Sequence, residues 1–317
     1  VSLFCPRCST PVSNFEIAMD DSYAMMRDPA VTVKFRLKGK KVKDTFILAW
    51  TTTPWTLPSN RALVVDPKEN YIMVKLNGER LILAKKRERS TLASEKTQHV
   101  EEFTGRKLLG LAYEPLYDFF PPNKNDFKIY SFEGMVNMNE GTGVVHSAPG
   151  FGEIDTEMGK HYELTLMFSV DDEGKFVEKV KKWPGMYVKD ADREIIKDLQ
   201  QRSLLFKEET ITHRYPYCYR CETPLIYKAQ ESWFIDIQRL KKQLLESNKN
   251  INWVPGHFKY GRFKKGIESA PDWCISRTRY WATIMPVWKC QKCHQLKVVG
   301  SIKEIEELSG EKVTDLH

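Results

Sequence analysis

The chain has 317 residues and a formal net charge of +7, with 41% hydrophobic and 12% aromatic residues. This composition excludes a disordered tail, a collagen-like chain and a fibrous repeat, and the length suits about two domains. The mild excess of basic residues allows a nucleic-acid partner without requiring one. We find no apolar run of about 18 residues and no signal segment, so we expect a cytoplasmic protein with no membrane partner. Because it starts at Val1 rather than Met, we expect a piece of a longer protein.

Cysteine spacing near the start of the chain predicts a metal site. Six of the seven cysteines form C-x-x-C pairs, which are Cys5 with Cys8, Cys218 with Cys221, and Cys290 with Cys293. The odd count and the spacing indicate a reducing compartment and zinc rather than disulfides. Two such turns supply the four thiolates of a tetrahedral zinc site. A redox pair or unrelated thiols are the alternative.

The first two pairs lie in similar segments, F-C-P-R-C-S-T-P-V and Y-C-Y-R-C-E-T-P-L. We therefore predict that Cys5, Cys8, Cys218 and Cys221 form one zinc site, which joins the two ends of a long insertion. The third pair lacks partners unless His294 joins it. A second zinc site is therefore predicted to be incomplete in this chain.

Short strands are predicted over the first two thirds of the chain. Alternating apolar residues predict a hairpin of strands 31–37 and 45–51. A second hairpin joins 71–76 to 80–83, because the intervening Asn-Gly suits a type I′ turn. Further on, residues 87–99 are polar and predicted to be helical. Two more strands, 135–137 and 143–146, are predicted around a glycine-rich bend.

Helices are predicted in the later part of the chain, from Asp190 onward. Asp190 is predicted to cap one helix, and another is expected over 236–247. Ser301, with Glu304 three residues later, is predicted to begin the last helix, which ends near Gly310.

One polar stretch, A-W-T-T-T-P-W-T-L-P-S-N-R-A-L over 49–63, is unusual. It contains three consecutive threonines, two prolines and two tryptophans: Thr51, Thr52, Thr53, Pro54, Pro58, Trp50 and Trp55. The prolines are expected to prevent a helix from forming after the strand. Threonine hydroxyls can hold a polar substrate or a water, while indoles can wall a pocket. An ordinary strand end is the alternative interpretation.

A second stretch, G-T-G-V-V-H-S-A-P-G-F-G-E-I-D over 141–155, places His146 at a strand end and Asp155 after a Pro-Gly loop. A carboxylate in such a loop can hold an ammonium group or act as a general base. A structural core histidine and a helix-capping aspartate are the alternatives. Phosphate-binding loops, dinucleotide fingerprints, nucleophile elbows and H-E-x-x-H helices are absent from the sequence.

Four ordered motifs together carry a family resemblance. They are W-T-T-T-P-W-T-L-P-S-N, G-T-G-V-V-H-S-A-P-G-F-G, H-R-Y-P-Y-C-Y-R-C-E-T-P-L-I-Y (213–227) and D-W-C-I-S-R-T-R-Y-W (272–281). The chain resembles the isoleucyl-tRNA synthetases, which are class I aminoacyl-tRNA synthetases, over almost its whole length. The matched region is the long insertion that carries the editing site. Valyl and leucyl relatives have an arginine where this chain has Thr53.

The resemblance implies a β-rich α/β fold: a barrel-like editing domain with a zinc-ribbon stalk and a partial catalytic-domain tail. We predict the first leg of the stalk over 1–20 and the editing domain over 21–205. The return leg with the second cysteine pair is predicted over 206–250. The incomplete catalytic part, with the third pair, is predicted over 251–317.

The resemblance also implies a function, the hydrolysis of valine wrongly esterified to isoleucine tRNA, and possible clearance of valyl-adenylate. In a double sieve, a second and tighter pocket removes a smaller amino acid that the first pocket discriminates poorly. This family is the standard example. In this chain Thr51–Thr53 correspond to the family's editing strand, and Trp50 and Trp55 to its flanking indoles. His146 corresponds to the pocket histidine, and Asp155 to the carboxylate that binds the ammonium group. One departure is Ile154, because many relatives have a second acidic residue there. Asp155 is then the only candidate for the ammonium-binding carboxylate in this register, and Glu153 is a poorer one.

H-I-G-H and K-M-S-K-S, the ATP-handling signatures of the family, are missing from the sequence. ATP and Mg²⁺ are therefore expected only in the full-length parent, a ligase. The implied partners are the acceptor end of tRNA(Ile), a valine ester and the rest of the synthetase, and we expect a monomer. Two alternatives are a valyl-type editing domain that clears threonine and a non-catalytic zinc-ribbon module that docks RNA.

Overall fold

The computed structural model describes residues 1–13, 16–17, 22–39, 44–93, 95–276 and 285–314. It divides into two compact units, Val1–Gln230 and Glu231–His317. The last five residues of the fourth motif, 277–281, lie outside the described residues. In the described part of the chain, no helix is long and apolar enough to span a membrane.

The first unit is built mainly from strands. In chain order they are β1 Ser2–Cys5, β2 Thr10–Val12, β3 Tyr23–Arg36, β4 Thr45–Thr51, β5 Ala62–Val65, β6 Asn70–Leu76, β7 Glu79–Ala84, β8 Gln98–Thr104, β9 Lys128–Tyr130, β10 Val144–Ser147, β11 Leu205–Pro216 and β12 Ile226–Lys228. Among the described residues, nine of them form one mixed sheet in the order β8-β6-β7-β4-β10-β5-β9, with β3 paired to β4 and β11 to β3. The sheet is a curled half-barrel, so the predicted β-rich α/β class is confirmed.

Both predicted hairpins are present. β3 pairs antiparallel with β4, and β6 pairs antiparallel with β7. At the second turn Asn77 and Gly78 have φ of 49° and 88°, the left-handed values that a type I′ turn requires. The turn chemistry therefore sets this register locally.

The helical prediction over 87–99 is wrong for most of its length. A helix covers only Glu88–Leu92, and β8 starts at Gln98. β8 pairs with β6 along the edge of the large sheet, so tertiary pairing overrides its polar local pattern. Residues 135–137 are also not a strand, whereas β10 lies where the strand at 143–146 is predicted.

Helix Val188–Gln201 packs its apolar face into the main core through Ile195, Ile196 and Leu199. Its predicted cap is wrong. The N-cap position is Tyr187, which makes no side-chain cap bond, and Asp190 is an exposed residue in the first turn. An acidic residue there still interacts favourably with the helix dipole.

The second unit contains two antiparallel two-stranded sheets and four helices among its described residues. The strands are β13 Phe234–Ile235, β14 Trp273–Cys274, β15 Val287–Lys289 and β16 Leu296–Val298, and the helices are Ile237–Asn250, His257–Tyr260, Arg262–Ser269 and Ile302–Ser309. The Ser301 side chain accepts from the Glu304 N–H, and Gly310 ends the last helix with φ of 73°. The predicted start and end of that helix are confirmed.

Candidate functional site

An open cavity of about 240 Å³ lies at the ends of β4 and β10 in the first unit. Its walls combine hydroxyls, an indole, an imidazole and a carboxylate. The residues that line it include Trp50, Thr51, Thr52, Thr53, Thr56, His146, Phe151 and Asp155. The two polar stretches of the sequence therefore meet in one cavity.

Strand pairing brings these stretches together. β10 lies parallel to β4, with Val145 opposite Trp50, and antiparallel to β5. Because β4 and β10 run parallel, their carboxyl ends meet at the same edge of the sheet. Thr51 ends β4, and the chain then enters a short 3₁₀ helix, Pro54–Ser59. The prediction that the prolines exclude a helix is wrong for this tighter turn, where Pro54 occupies a first-turn position that needs no N–H.

The threonine hydroxyls form a short chain of hydrogen bonds. Thr51 Oγ1 lies 3.2 Å from Thr53 Oγ1, which lies 3.3 Å from Thr56 Oγ1. The Thr53 N–H donates to Thr51 Oγ1, and the Thr56 hydroxyl donates to the Thr53 carbonyl oxygen. Thr52 also lines the cavity. The hydroxyls are therefore held in a fixed row along one wall.

His146 continues this row into the core. Its Nε2 lies 2.8 Å from Thr56 Oγ1, and its Nδ1 lies 3.2 Å from Asn60 Nδ2. The Asn60 amide is oriented by the Ala62 carbonyl, to which Nδ2 donates, and by the Tyr113 hydroxyl, which donates to Oδ1. Nδ1 is thus an acceptor, and we assign the proton to Nε2, which donates to Thr56.

His146 is neutral at pH 7. Burial lowers the pKa of its imidazole to about 4, because the charged form loses its hydration. Both ring nitrogens are engaged by protein groups, so the ring positions Thr56 and forms part of the wall.

Asp155 also lines the cavity, and it lies in the first turn of helix Glu153–His161. Its Oδ1 accepts from the Ala148 N–H at 3.0 Å. Burial raises the pKa of this carboxyl above its usual value, and the Ala148 N–H opposes that shift. A Cβ on Gly152 would lie 2.2 Å from Oδ2, so a larger residue there would displace the carboxylate.

The two indoles occupy different places. Trp50 lines the cavity, whereas Trp55 is 2% exposed and packs edge-on against Phe151 at a centroid distance of 5.3 Å. Phe151 itself is a lining residue. Trp55 therefore supports the wall from behind.

Sequence reasoning missed two members of this network, Thr56 and Asn60. Both fall inside the threonine-rich stretch, but their side chains look like ordinary loop residues in a linear reading. A hydroxyl and an amide at three and seven residues after Thr53 were the available signal. Only the fold shows that both side chains face His146.

The thiols of Cys5, Cys8, Cys218 and Cys221 form the second candidate centre. Their sulfur atoms all lie within 4.8 Å of one another, the only such ligand cluster found among the described residues. Four thiolates bound tetrahedrally at about 2.3 Å from zinc would lie about 3.8 Å apart. The Cys5 and Cys221 sulfurs are 3.4 Å apart, so the geometry fits a metal ion. The Cys8 N–H also donates to Cys5 Sγ, as expected for such a turn.

Hydrogen bonds favour the thiolate form of Cys221. Burial raises its pKa, but bonds with Thr223 and the neighbouring thiols outweigh this and lower the pKa to about 6. Burial raises the pKa of the Cys5 thiol, which a bound cation would reverse. The third pair, Cys290 and Cys293, is exposed in the second unit.

The protein-family model described as class I tRNA synthetases for isoleucine, leucine, methionine and valine matches residues 1–316 of this chain. The chain belongs to the class I tRNA synthetases. It is 45% identical over 97% of its length to the isoleucine–tRNA ligase of Clostridium novyi, and 44% identical over 99% to isoleucine–tRNA ligase 2 of Pseudomonas fluorescens. The predicted resemblance to the isoleucyl members is thereby confirmed. The synthetase chain spans 29% and 30% of those two relatives.

Among solved structures, this synthetase chain is similar to the structure described as GlLeuRS-CP1, with 14% identity and a TM-score of 0.47. That match covers 57% of the chain and 98% of the structure. The cytosolic leucyl-tRNA synthetase editing domain of P. knowlesi has a TM-score of 0.43 at 14% identity, over 56% of this chain and 95% of that one.

Proposed function

We propose that the first unit is an editing domain that hydrolyses the valyl ester of tRNA(Ile). The observation that carries the proposal is the cavity itself. A half-buried carboxylate and a fixed row of hydroxyls line a space of about 240 Å³, which suits a small amino acid. The chain is also 45% identical to an isoleucine–tRNA ligase.

Asp155 is assigned to the α-ammonium group of the bound valine. The Ala148 N–H orients the carboxylate, and partial burial reduces its contact with water. A charge-assisted hydrogen bond in such a site is about twice as strong as a neutral one. The ammonium group would restore the pKa of Asp155 toward its usual value, because a cation favours the ionised form.

Thr51, Thr52 and Thr53 are assigned to the ester and the attacking water. Water adds to the ester carbonyl, and the bond between that carbon and the ribose oxygen then breaks, which releases valine and tRNA. The water proton passes to the ribose oxygen, assisted by the neighbouring ribose hydroxyl. His146 is neutral with both nitrogens engaged, so we assign it to positioning rather than to proton transfer.

The walls set the size of the side chain that the cavity accepts. Trp50, His146 and Phe151 line it, and Trp55 braces Phe151. A tight second pocket is the means by which one methylene can be discriminated when binding alone is too weak. These residues are therefore proposed to admit valine and exclude isoleucine.

The remaining assignments concern the chain as part of a longer protein. We propose zinc at Cys5, Cys8, Cys218 and Cys221, where it would hold the ends of β1 and the loop before β12 together. The tRNA acceptor end and the rest of the synthetase are proposed as partners of a monomeric, cytoplasmic enzyme. ATP and Mg²⁺ are assigned to the full-length ligase.

The test is release of valine from mischarged valyl-tRNA(Ile) by the chain and by Asp155→Ala. We expect kcat/KM to fall by at least about 30-fold, because one partner of a buried charge pair is lost. Glu157→Ala, an exposed carboxylate on the same helix, is the matched control. Undiminished hydrolysis by Asp155→Ala would overturn the assignment. Faster release of threonine than valine would point to a valyl-type domain, and binding without hydrolysis to an RNA-docking module.

A further inference from the structure

We propose that Asp192 is a positioning residue for the cavity that Thr51, Thr52 and Thr53 line. It anchors the 3₁₀ helix Pro54–Ser59 without lining the cavity itself. The inference rests on the proposed editing function. Asp192 lies on helix Val188–Gln201, well outside the two motifs that line the cavity.

The anchoring contact is one hydrogen bond. The Trp55 N–H donates to Asp192 Oδ1 at 2.8 Å, between residues 137 positions apart. Asp192 is 3% exposed and Trp55 is 2% exposed, so water does not compete for this bond. A buried backbone N–H that is left without an acceptor costs about 1–3 kcal/mol, so the bond fixes the position of this amide.

The geometry of the 3₁₀ helix explains why an acceptor is needed. Pro54 has no N–H, and the Thr56 N–H already donates to the Thr53 carbonyl. The Trp55 N–H precedes the first intrahelical bond and has no backbone partner in the helix. Asp192 therefore acts as an N-terminal cap supplied by a distant helix rather than by Thr53, whose side chain makes no cap bond.

Two walls of the cavity depend on where this helix begins. Thr53 and Thr56, on either side of Trp55, carry the hydroxyls that meet each other and His146. The Trp55 ring braces Phe151. If the Trp55 amide moves, both the hydroxyl row and the aromatic wall move with it.

Asp192 is itself held in place. Its own helix is tied to β3 by Lys189, whose Nζ lies 3.1 Å from both carboxylate oxygens of Asp28. Asp28 also lies 3.0 Å from His213 Nε2 on β11. Two charged groups interact electrostatically with Asp192, namely Lys189 and Asp28. Tyr215 of β11 interacts with both carboxyl groups.

The test compares Asp192→Ala and Asp192→Asn with wild type, and uses Asp190→Ala as a matched control on the same helix. Loss of the acceptor in Asp192→Ala is expected to lower kcat for valyl-tRNA(Ile) hydrolysis at least about tenfold, with KM within about threefold. Asp192→Asn keeps an acceptor oxygen and is expected to stay within about threefold of wild type. A purely structural role would not give this split or this rescue.

The bond is read directly from the backbone amide of Trp55 after labelling the 8 tryptophans with ¹⁵N. Trp55→Phe identifies the signal. We expect rapid hydrogen exchange of this amide in Asp192→Ala and slow exchange in wild type and Asp192→Asn. If Asp192→Ala does not fold, Asp192→Glu, which displaces the acceptor by one methylene, takes its place with the same expected fall in kcat.

Hydrolysis by Asp192→Ala as fast as by Asp190→Ala would overturn the proposal. Equal loss in Asp192→Asn and Asp192→Ala would also overturn it, because the charge and not the acceptor would then matter. If wild type releases no valine, the proposed function fails by itself. The Trp55 amide exchange would still decide whether Asp192 holds the helix.

Discussion

At the level of single residues, burial lowers the pKa of His146 and raises the pKa of Asp192. His146 loses hydration of its cationic form, so its pKa falls to about 4. Asp192 loses hydration of its anionic form, so its pKa rises to about 7 despite the opposing effect of Lys189. In both cases the neutral form is favoured, which is the common consequence of desolvation.

The His146 shift predicts a stability change in acid. The unfolded imidazole binds a proton near pH 6.5 and the folded one near pH 4, so stability is present above about pH 6.5 and is lost as pH falls toward 4. The contribution is at most about 3 kcal/mol. Urea unfolding of wild type and His146→Gln at pH 4.5 and 7.5 should show a larger pH effect for wild type. Parallel pH dependence in the two proteins would contradict this prediction.

The Asp192 shift predicts the reverse sign. The folded carboxyl holds its proton up to about pH 7, while the unfolded one releases it near pH 3.8. Its contribution to stability is therefore greatest below pH 4 and declines up to pH 7, by at most roughly 4 kcal/mol. Asp192→Asn cannot titrate and should gain stability relative to wild type between pH 5 and 8. A constant difference across that range would refute the shift.

At the level of elements, close packing fixes the backbone at the start of β10. Gly143, just before β10, has φ of 72°, and a Cβ there would lie 2.3 Å from the Ala84 Cβ on β7. The backbone conformation and the close approach both require glycine. This is the element-scale reason that the G-T-G bend precedes the strand carrying His146.

Gly143→Ala is expected to destabilise the protein by about 2–4 kcal/mol, because left-handed strain adds to overpacking. Gly185→Ala is the matched control, since Gly185 has φ of 70° but nothing within 4 Å of the added Cβ. The control should lose only about 1 kcal/mol. Thermal or urea unfolding measures both. Equal losses would show that Ala84 yields and that the packing argument fails.

At the level of the whole molecule, the cysteine cluster joins distant parts of the first unit. Cys8 and Cys221 are 213 residues apart, and their turns flank the small sheet β12-β1-β2. Closing so long a loop restricts the unfolded chain, and metal-binding free energy becomes folding free energy. The proposed zinc therefore couples the two ends of the first unit.

Zinc removal is predicted to lower the melting temperature of the first unit. Metal analysis should find about one zinc per chain held by the four clustered cysteines, and Cys8→Ser should lose it. Cys293→Ser, in the exposed third pair, is the control and should leave that zinc and the melting temperature unchanged. A metal-free protein of unchanged stability would contradict the assignment.

The sequence by itself determined the local features of this synthetase. The Asn77-Gly78 hairpin, the capped last helix at Ser301 and the four-cysteine set follow from turn chemistry, capping and spacing, which act over a few residues. The two polar stretches that line the cavity were also recognisable as motifs. Each of these signals is carried by neighbouring residues.

Only the tertiary structure decided which distant groups meet. The polar segment at 98–104 became β8 because β6 offered an edge, and Trp55 was turned away from the cavity by the 3₁₀ helix. Asn60 and Asp192 gained their roles from contacts with His146 and Trp55 across 86 and 137 residues. Hydrogen bonding of a buried group depends on what lies beside it in space, and that is a property of the packed chain rather than of any short stretch of sequence.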